Sequence, residues 1–493
     1  MYRKALYHLV ILTVLTVGIF TTGCKKDPKP APEPAPPVVV TAADLSKDTL
    51  YYLFKDEYLF SDLIPAYDVL KPRTFANNDS LFAKLTRFAT APKDRYSFID
   101  KGGVVASQIG QGVSQGDFGI EIFYPNSANL SDLRVKSVTK GSPAYTLGIH
   151  KGWQITSING NSSIAYDGSD VGGNSVNINR VVTAVYYSSS TAFIFKKPDG
   201  TSVTKTIAAA TYSIDPVTFD SVYTFGARKV GYLVFSSFID ISKIKTKLDT
   251  KFANFATQGV TDLVIDLRYN GGGSVGTAEY MSNLIAPNTV GTDSTKTMYT
   301  YDFNSLVKSG TYSALTKGYK LLPPDQAYSY ADLFDSFNYY KTTNFKKKGT
   351  VNVQNVVFIV TKSTASASEL LINNLKPYMN VTLIGKTTYG KPVGFIGIPV
   401  GGYDMYAISF RTINANGQAD YYNGMIPAVD LYEDYTHDFG QLDEVYLNQA
   451  LIQLGVKSLP ILKAQSASIG TLDNGKLDKS FKGMIDYRIK KIK

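Results

Sequence analysis

The stretch "VVFIVTKSTASASELLINNL", residues 356–375, holds in one run the three pieces from which the fold can be read. Val356 to Val360 are apolar at every position, the pattern of a strand covered on both faces rather than one with a wet side. A turn of small hydroxyl and methyl side chains follows, and then "LLINNL" with helical spacing. Ser366-x-x-Glu369 has the form of a capping box at that helix start. Buried strand, turn and helix form the repeating unit of an α/β sheet. The same apolar runs recur in "VGYLVF" (230–235), "TDLVIDL" (261–267) and "VTLIG" (381–385), so residues 213–460 are expected to form one α/β domain.

The hydroxyls before the helix have two readings. Ser366 is a cap, or it is a nucleophile whose nascent alkoxide faces the positive end of the helix dipole. A serine hydroxyl attacks only when a base takes its proton. Beyond a further apolar strand comes "GKTTYGKPVGF" (385–395), where Tyr389, Gly390, Pro392, Val393 and Gly394 surround Lys391 without a charge. Burial among such neighbours lowers a lysine pKa toward neutrality and makes a base of it; the ordinary alternative is a solvated surface amine. "VIDLRYNGGG" (264–273) ends a buried strand in Asn270 and three glycines. The missing Gly-Lys-Ser/Thr ending excludes a phosphate loop. A tight turn and a pair of inward-facing amides for a developing oxyanion both remain open.

A chain of 493 residues exceeds one compact core and predicts about two to four domains. With 44% apolar and 19% charged residues it is ordinary globular material. The single cysteine, Cys24, excludes an internal disulfide framework and a cysteine-based metal site. The three histidines, His8, His150 and His437, exclude a histidine-rich zinc centre and leave only His150 and His437 for a Ser-His pair. No metal or cofactor is expected. The net charge of +10 is nowhere focused into a nucleic-acid footprint, and its densest run is "IDYRIKKIK" (485–493).

Residues 1–24 carry Arg3 and Lys4, an apolar stretch from Leu9 to Phe20, and small residues before Cys24. This is a secretory leader pattern, too short for a spanning helix. It resembles a bacterial lipobox, with Thr21 where leucine is usual, and the resemblance implies acylation of Cys24. The alternating prolines of "KKDPKPAPEPAPP" (25–37), in a linker over 25–40, favour an extended spacer. A body held off a lipid bilayer in the cell envelope is the expectation, facing the periplasm or the surface. Residues 41–102 read as a small helical segment and 461–493 as a basic, loosely ordered tail.

Residues 103–212 read as short strands with two helices. Ser142 and Pro143 open one helix, Asn159-Gly160 and Asp199-Gly200 mark hairpins, and Ile178, Val181, Val182 and Val185 share a helix face. This region resembles a PDZ domain, with Trp153 where an acidic residue is common. Phe118-Gly119-Ile120 sits where such domains bind a peptide's terminal carboxylate on loop amides. The alternative is a β-rich spacer that binds nothing.

Residues 45–455 as a whole resemble the carboxyl-terminal processing (tail-specific) proteases, Ser/Lys serine peptidases of extracytoplasmic compartments. The motifs keep that family's order: helical segment, PDZ, glycine loop, serine, lysine. The resemblance implies a multidomain α/β protein with a ClpP/crotonase-like catalytic core and the PDZ inserted before it. It maps the nucleophile onto Ser366, the general base onto Lys391 and the oxyanion amides onto Gly273 and Ala367, with Gly272, Glu369 and Thr388 in support. It implies protein or peptide substrates with free C-termini. Many members carry a glutamine that steadies the lysine, and Phe395 stands there in this chain. Another polar group holds Lys391, or packing alone does. A catalytically inactive peptide-binding lipoprotein on the same fold is the rival reading.

Overall fold

The computed structural model describes residues 40–90, 93–125, 127–168, 175–293, 295–323, 325–457, 481–486 and 488. The leader, Cys24, the proline-rich stretch and residues 461–480 of the expected tail lie outside the described residues.

The apolar runs are the strands of one sheet. Arg228–Phe235, Asp262–Asp266, Asn355–Val360, Asn380–Gly385 and Val429–Asp430 run parallel, and Val217–Phe225 adds an antiparallel edge. Both faces are covered, which is why nearly every residue of these strands is apolar. Val230, Tyr232, Val234, Val264, Val357 and Ile359 face the helix Val445–Gln453. Leu233, Phe235, Leu263, Ile265, Val356 and Phe358 face the main core, which the helices Ile241–Thr257, Val275–Ile285 and Ala367–Leu375 close. The alternation sends neighbouring side chains to opposite faces, so each strand stitches two cores together.

A second six-stranded sheet runs in the order Gly272–Ser274, Gly483–Ile485, Val393–Phe395, Ile408–Asn414, Thr297–Asp302, Thr342–Asn344. Its second member comes from the stretch expected to be loose tail. Met484 and Ile485 are fully buried there, so 481–486 is part of the fold, a correction to the sequence reading. The tyrosine-rich segment around 297–345 supplies two strands of this sheet, Thr297–Asp302 and Thr342–Asn344, with Tyr299 and Tyr301 of the first buried.

Residues 42–86 are mostly helical, and Leu50, Leu53 and Phe54 of the helix Ala42–Glu57 are wholly buried. Residues 118–207 build a separate apolar cluster around Phe193, Phe195, Leu133 and Val135. Five antiparallel strands from Ile120–Phe123 to Ser202–Ala208 carry it, with the helix Val176–Tyr186 packed through Ile178, Val181 and Val185. Ser142 accepts from the Tyr145 N–H at the start of Pro143–Thr146, and Asn159 and Gly160 turn their hairpin at positive φ. Among the described residues no helix is long and apolar enough to cross a membrane.

Candidate active site

The parallel strand Asn355–Val360 ends in a turn that puts Ser366 immediately before the helix Ala367–Leu375. Its backbone stands at φ 59°, ψ −105°, a conformation that side chains other than glycine rarely take. Three ties hold it there. The Ala365 N–H and the Ser368 hydroxyl both donate to the Asn270 carbonyl, at 3.1 and 3.0 Å. Glu369 accepts the Ser366 N–H at 2.7 Å.

The expected capping box is present but loose on one side. Glu369 reaches back to the Ser366 N–H, whereas the fully buried Ser366 hydroxyl faces the first turn without a hydrogen bond of normal geometry. A buried unsatisfied hydroxyl costs about 1–3 kcal/mol and native folds rarely carry one without a reason. Strain and an idle hydroxyl fall on the same residue.

Glu369 also joins the serine to the lysine. Besides the Ser366 N–H it accepts the Lys391 N–H at 2.8 Å, the Gly390 N–H at 2.7 Å and the Thr388 hydroxyl. Thr388 in turn accepts the Met425 N–H at 2.7 Å. One buried carboxylate thus clamps both segments by their backbones, leaving their side chains uncommitted to it.

The Lys391 amine is buried, and desolvation pushes its pKa well below the usual lysine range against a smaller opposing pull from Asp94 and Glu369. It donates to the Lys482 carbonyl at 2.7 Å and lies 3.8 Å from the Phe395 ring centre and 5.4 Å from that of Tyr96. Phe395 therefore supplies a π face where a side-chain amide was looked for, and a main-chain carbonyl supplies the hydrogen bond. Tyr96 is itself held by a hydrogen bond to the Gly390 carbonyl at 2.5 Å.

The glycine loop lies against the serine turn. Asn270 shapes it, accepting the Gly272 N–H at 2.9 Å and donating to the Phe235 carbonyl at 2.9 Å. Gly273 adopts φ 134°, and a Cβ there would sit 2.1 Å from the Phe238 carbonyl oxygen, so no other residue fits. A Cβ on Gly272 would lie 3.0 Å from the Ala367 N. Ala367 is the first helical residue, whose N–H has no acceptor within the helix. The tight turn that the glycines predict is formed, and the start of the helix Ala367–Leu375 packs against it.

The structure therefore gathers Ser366, Ala367, Glu369, Thr388, Lys391, Gly272 and Gly273 into one region. Among the described residues it brings no histidine to the serine. His437 pairs with Asp434 through Nδ1 and with Asp443 through Nε2 at 3.4 Å, and His150 sits 3.2 Å from Asp438.

A cleft of about 420 Å³ runs from Gly119, Ile120 and Glu121 to Gly271 and Gly272. At its outer end Phe118 is buried and Gly119 has positive φ, as a loop of this kind requires. The Gly119 N–H is already used, however, donating to Asp117 at 2.8 Å, and Tyr186 approaches the Ile122 N–H at 3.4 Å. Lys136, on the strand Leu133–Val138, donates to the Ser363 hydroxyl at 3.1 Å and pairs with Glu121 at 3.3 Å, tying this sheet to the serine turn. Sequence reasoning missed Tyr96, Lys136 and Lys482. None stands in a motif, and Lys482 acts through its backbone.

Residues 229–423 match the model of peptidase family S41. Among solved structures, a candidate S41 protease from Bacteroides fragilis aligns with a TM-score of 0.56 at 22% identity, over 83% of this chain and 97% of that one. A photosystem II D1 C-terminal processing protease aligns with a TM-score of 0.46 at 17% identity, over 80% of this chain and 94% of that one. No curated protein matches the chain significantly. The first structural likeness speaks to the fold, and the match to the peptidase family S41 model spans residues 229–423, the region that holds the glycine loop, Ser366 and Lys391.

Proposed function

We propose that the protein is a serine endopeptidase in which Ser366 attacks a peptide carbonyl while Lys391 takes its proton. The acyl-enzyme forms as the peptide C–N bond breaks and Lys391 passes that proton to the departing amine nitrogen, and water then hydrolyses the ester and releases the acyl chain. The N–H groups of Gly273 and Ala367 would hold the oxyanion. The observation that carries this reading is the buried, partnerless Ser366 hydroxyl on a strained turn, clamped through Glu369 to a buried lysine whose amine favours the neutral form.

Substrate chains would enter along the cleft from the PDZ-like sheet, with a free C-terminus held at Phe118-Gly119-Ile120 after it displaces Asp117 from the Gly119 N–H. Acylated Cys24 would tether the protein to a bilayer in the cell envelope, consistent with its leader pattern and spacer. Ser366→Ala and Lys391→Ala should each abolish cleavage of an unfolded protein with an apolar C-terminal tail. Unchanged turnover in either variant ends the assignment. The rival, an inactive peptide-binding protein, draws on one observation: the Lys391 amine bonds the Lys482 carbonyl and not the serine. Covalent labelling of Ser366 by a fluorophosphonate separates the two.

A further inference from the structure

The strand Gly483–Ile485 lies between Gly272–Ser274 and Val393–Phe395, and its contacts fall on the groups that the proposed reaction needs. The Gly483 N–H donates to the Gly271 carbonyl at 3.0 Å, and the parallel register pairs Gly483 with Gly272. In a parallel ladder the bonds of one residue straddle its partner, so the Gly483 carbonyl is set against the Gly273 N–H. A Cβ on Gly272 would lie 2.3 Å from the Gly483 oxygen and 3.0 Å from the Ala367 N, so the strand and the start of the serine helix close on the same glycine. One residue earlier, the Lys482 carbonyl takes the hydrogen bond of the Lys391 amine. One and two residues later, Met484 and Ile485 are wholly buried, and the Tyr301 hydroxyl anchors Asp486 at 2.8 Å.

A strand that served packing alone would have no reason to end its hydrogen bonds on the glycine loop and the buried amine. The geometry points to residues 481–486 being a substrate-like ligand of the active site, held in cis. An extended polypeptide lies parallel to Gly272–Ser274 with a glycine carbonyl set against the Gly273 N–H and two apolar side chains after it. The chain's own segment leaves before another polypeptide enters. The substrate class is therefore a chain with a Gly-apolar-apolar run in extended form. The inference rests on the peptidase reading for its chemistry, though not for its occupancy.

The test uses the full chain. Met484→Asp with Ile485→Asp places two charges where only apolar groups are buried, which expels the strand. Three readouts are compared with wild type: fluorophosphonate labelling of Ser366, hydrolysis of an unfolded protein, and binding of the fluorescein-labelled peptide FKGMID by anisotropy. An occupant filling about nine sites in ten lowers apparent reactivity about tenfold, so the variant should label and hydrolyse about tenfold faster. The peptide should bind the variant and not the wild type, and should slow its labelling. A folded variant that labels no faster and binds no peptide overturns the inference, and the strand is then structural. Should the double variant fail to fold, Gly483→Pro, which removes the N–H donated to Gly271 and drives a Cβ into the Phe481 ring, decides by the same readouts. Peptide binding to the variant with no labelling or hydrolysis in either protein upholds the occupancy and sinks the peptidase reading. Equal labelling with no peptide binding does the reverse.

Discussion

Lys391 is pulled two ways. The ring faces of Phe395 and Tyr96 favour its cation. Complete burial takes that cation out of water and acts in the other direction, and burial wins, so the pKa lies well below the usual lysine range. Two outcomes follow. Turnover should rise about tenfold per pH unit on the acid side until the amine is neutral, while Lys391→Arg, which cannot lose its proton, should be inactive at every pH. Stability should rise with pH as well, because between the lowered folded pKa and the unfolded value near about 10.4 the unfolded chain binds more protons. Lys391→Met should abolish that slope in urea titrations and be more stable than wild type at neutral pH. Ser366 offers an independent check on strain. At its positive φ, Ser366→Gly should melt higher than Ser366→Ala, since strain of about 1–3 kcal/mol is relieved only by glycine. The sequence marks both positions, Ser366 as a cap or a nucleophile after its strand and Lys391 by uncharged neighbours that permit a neutral amine, and only the family resemblance assigns them roles. What holds the amine was not, because a main-chain carbonyl such as that of Lys482 has the same identity in every residue.

The elements that show in the sequence are those whose side chains must answer a local geometry. Asn355–Val360 reads as buried because both faces are covered, and Asn159-Gly160 reads as a hairpin because both residues need positive φ. Gly483–Ile485 has no such signature. Three residues between Lys482 and Asp486 look solvated, and their placement comes from backbone pairing with the glycine strand. The glycine strand itself is testable. Gly273→Ala brings a Cβ to 2.1 Å from the Phe238 carbonyl and turns an amide away from the site, so kcat should fall about 10²–10³-fold with a smaller change in KM. The Phe118-Gly119-Ile120 loop makes the opposite case, an element whose sequence fits its role while its donor is engaged. Asp117→Ala frees the Gly119 N–H and removes a like charge. It should tighten binding of a peptide with a free C-terminal carboxylate by about fivefold, on the order of 1 kcal/mol, and leave the amidated peptide unchanged in a calorimetric titration.

At the scale of the molecule, the sequence separates regions well and joins them poorly. The apolar cluster of 118–207 is distinct from those of the α/β sheet, as alternating strands and turns there imply. The joint is polar and buried, made by lysines that composition alone would leave in water. Lys151 donates to the Asp434 and His437 carbonyls at 2.8 and 3.2 Å and stands 3.3 Å from Glu433, which Arg268 and Tyr269 also engage. The neighbouring Gly152 admits the Tyr435 carbonyl where a Cβ would come within 2.0 Å of it. Removing one partner from such a network leaves the others desolvated and unmatched, a cost of about 3–5 kcal/mol. That cost falls on the joint and not on either core. Lys151→Ala should therefore uncouple the two regions: calorimetry should resolve a lower transition for residues 118–207 ahead of the main one, where wild type melts as a unit. Hydrogen exchange should speed up in the strand Gln154–Ile158 and in the loop 433–438, while the strand Asp262–Asp266 keeps its protection. A single unsplit transition with unaltered exchange would mean that apolar contact, and not the buried lysine, couples residues 118–207 to the loop 433–438.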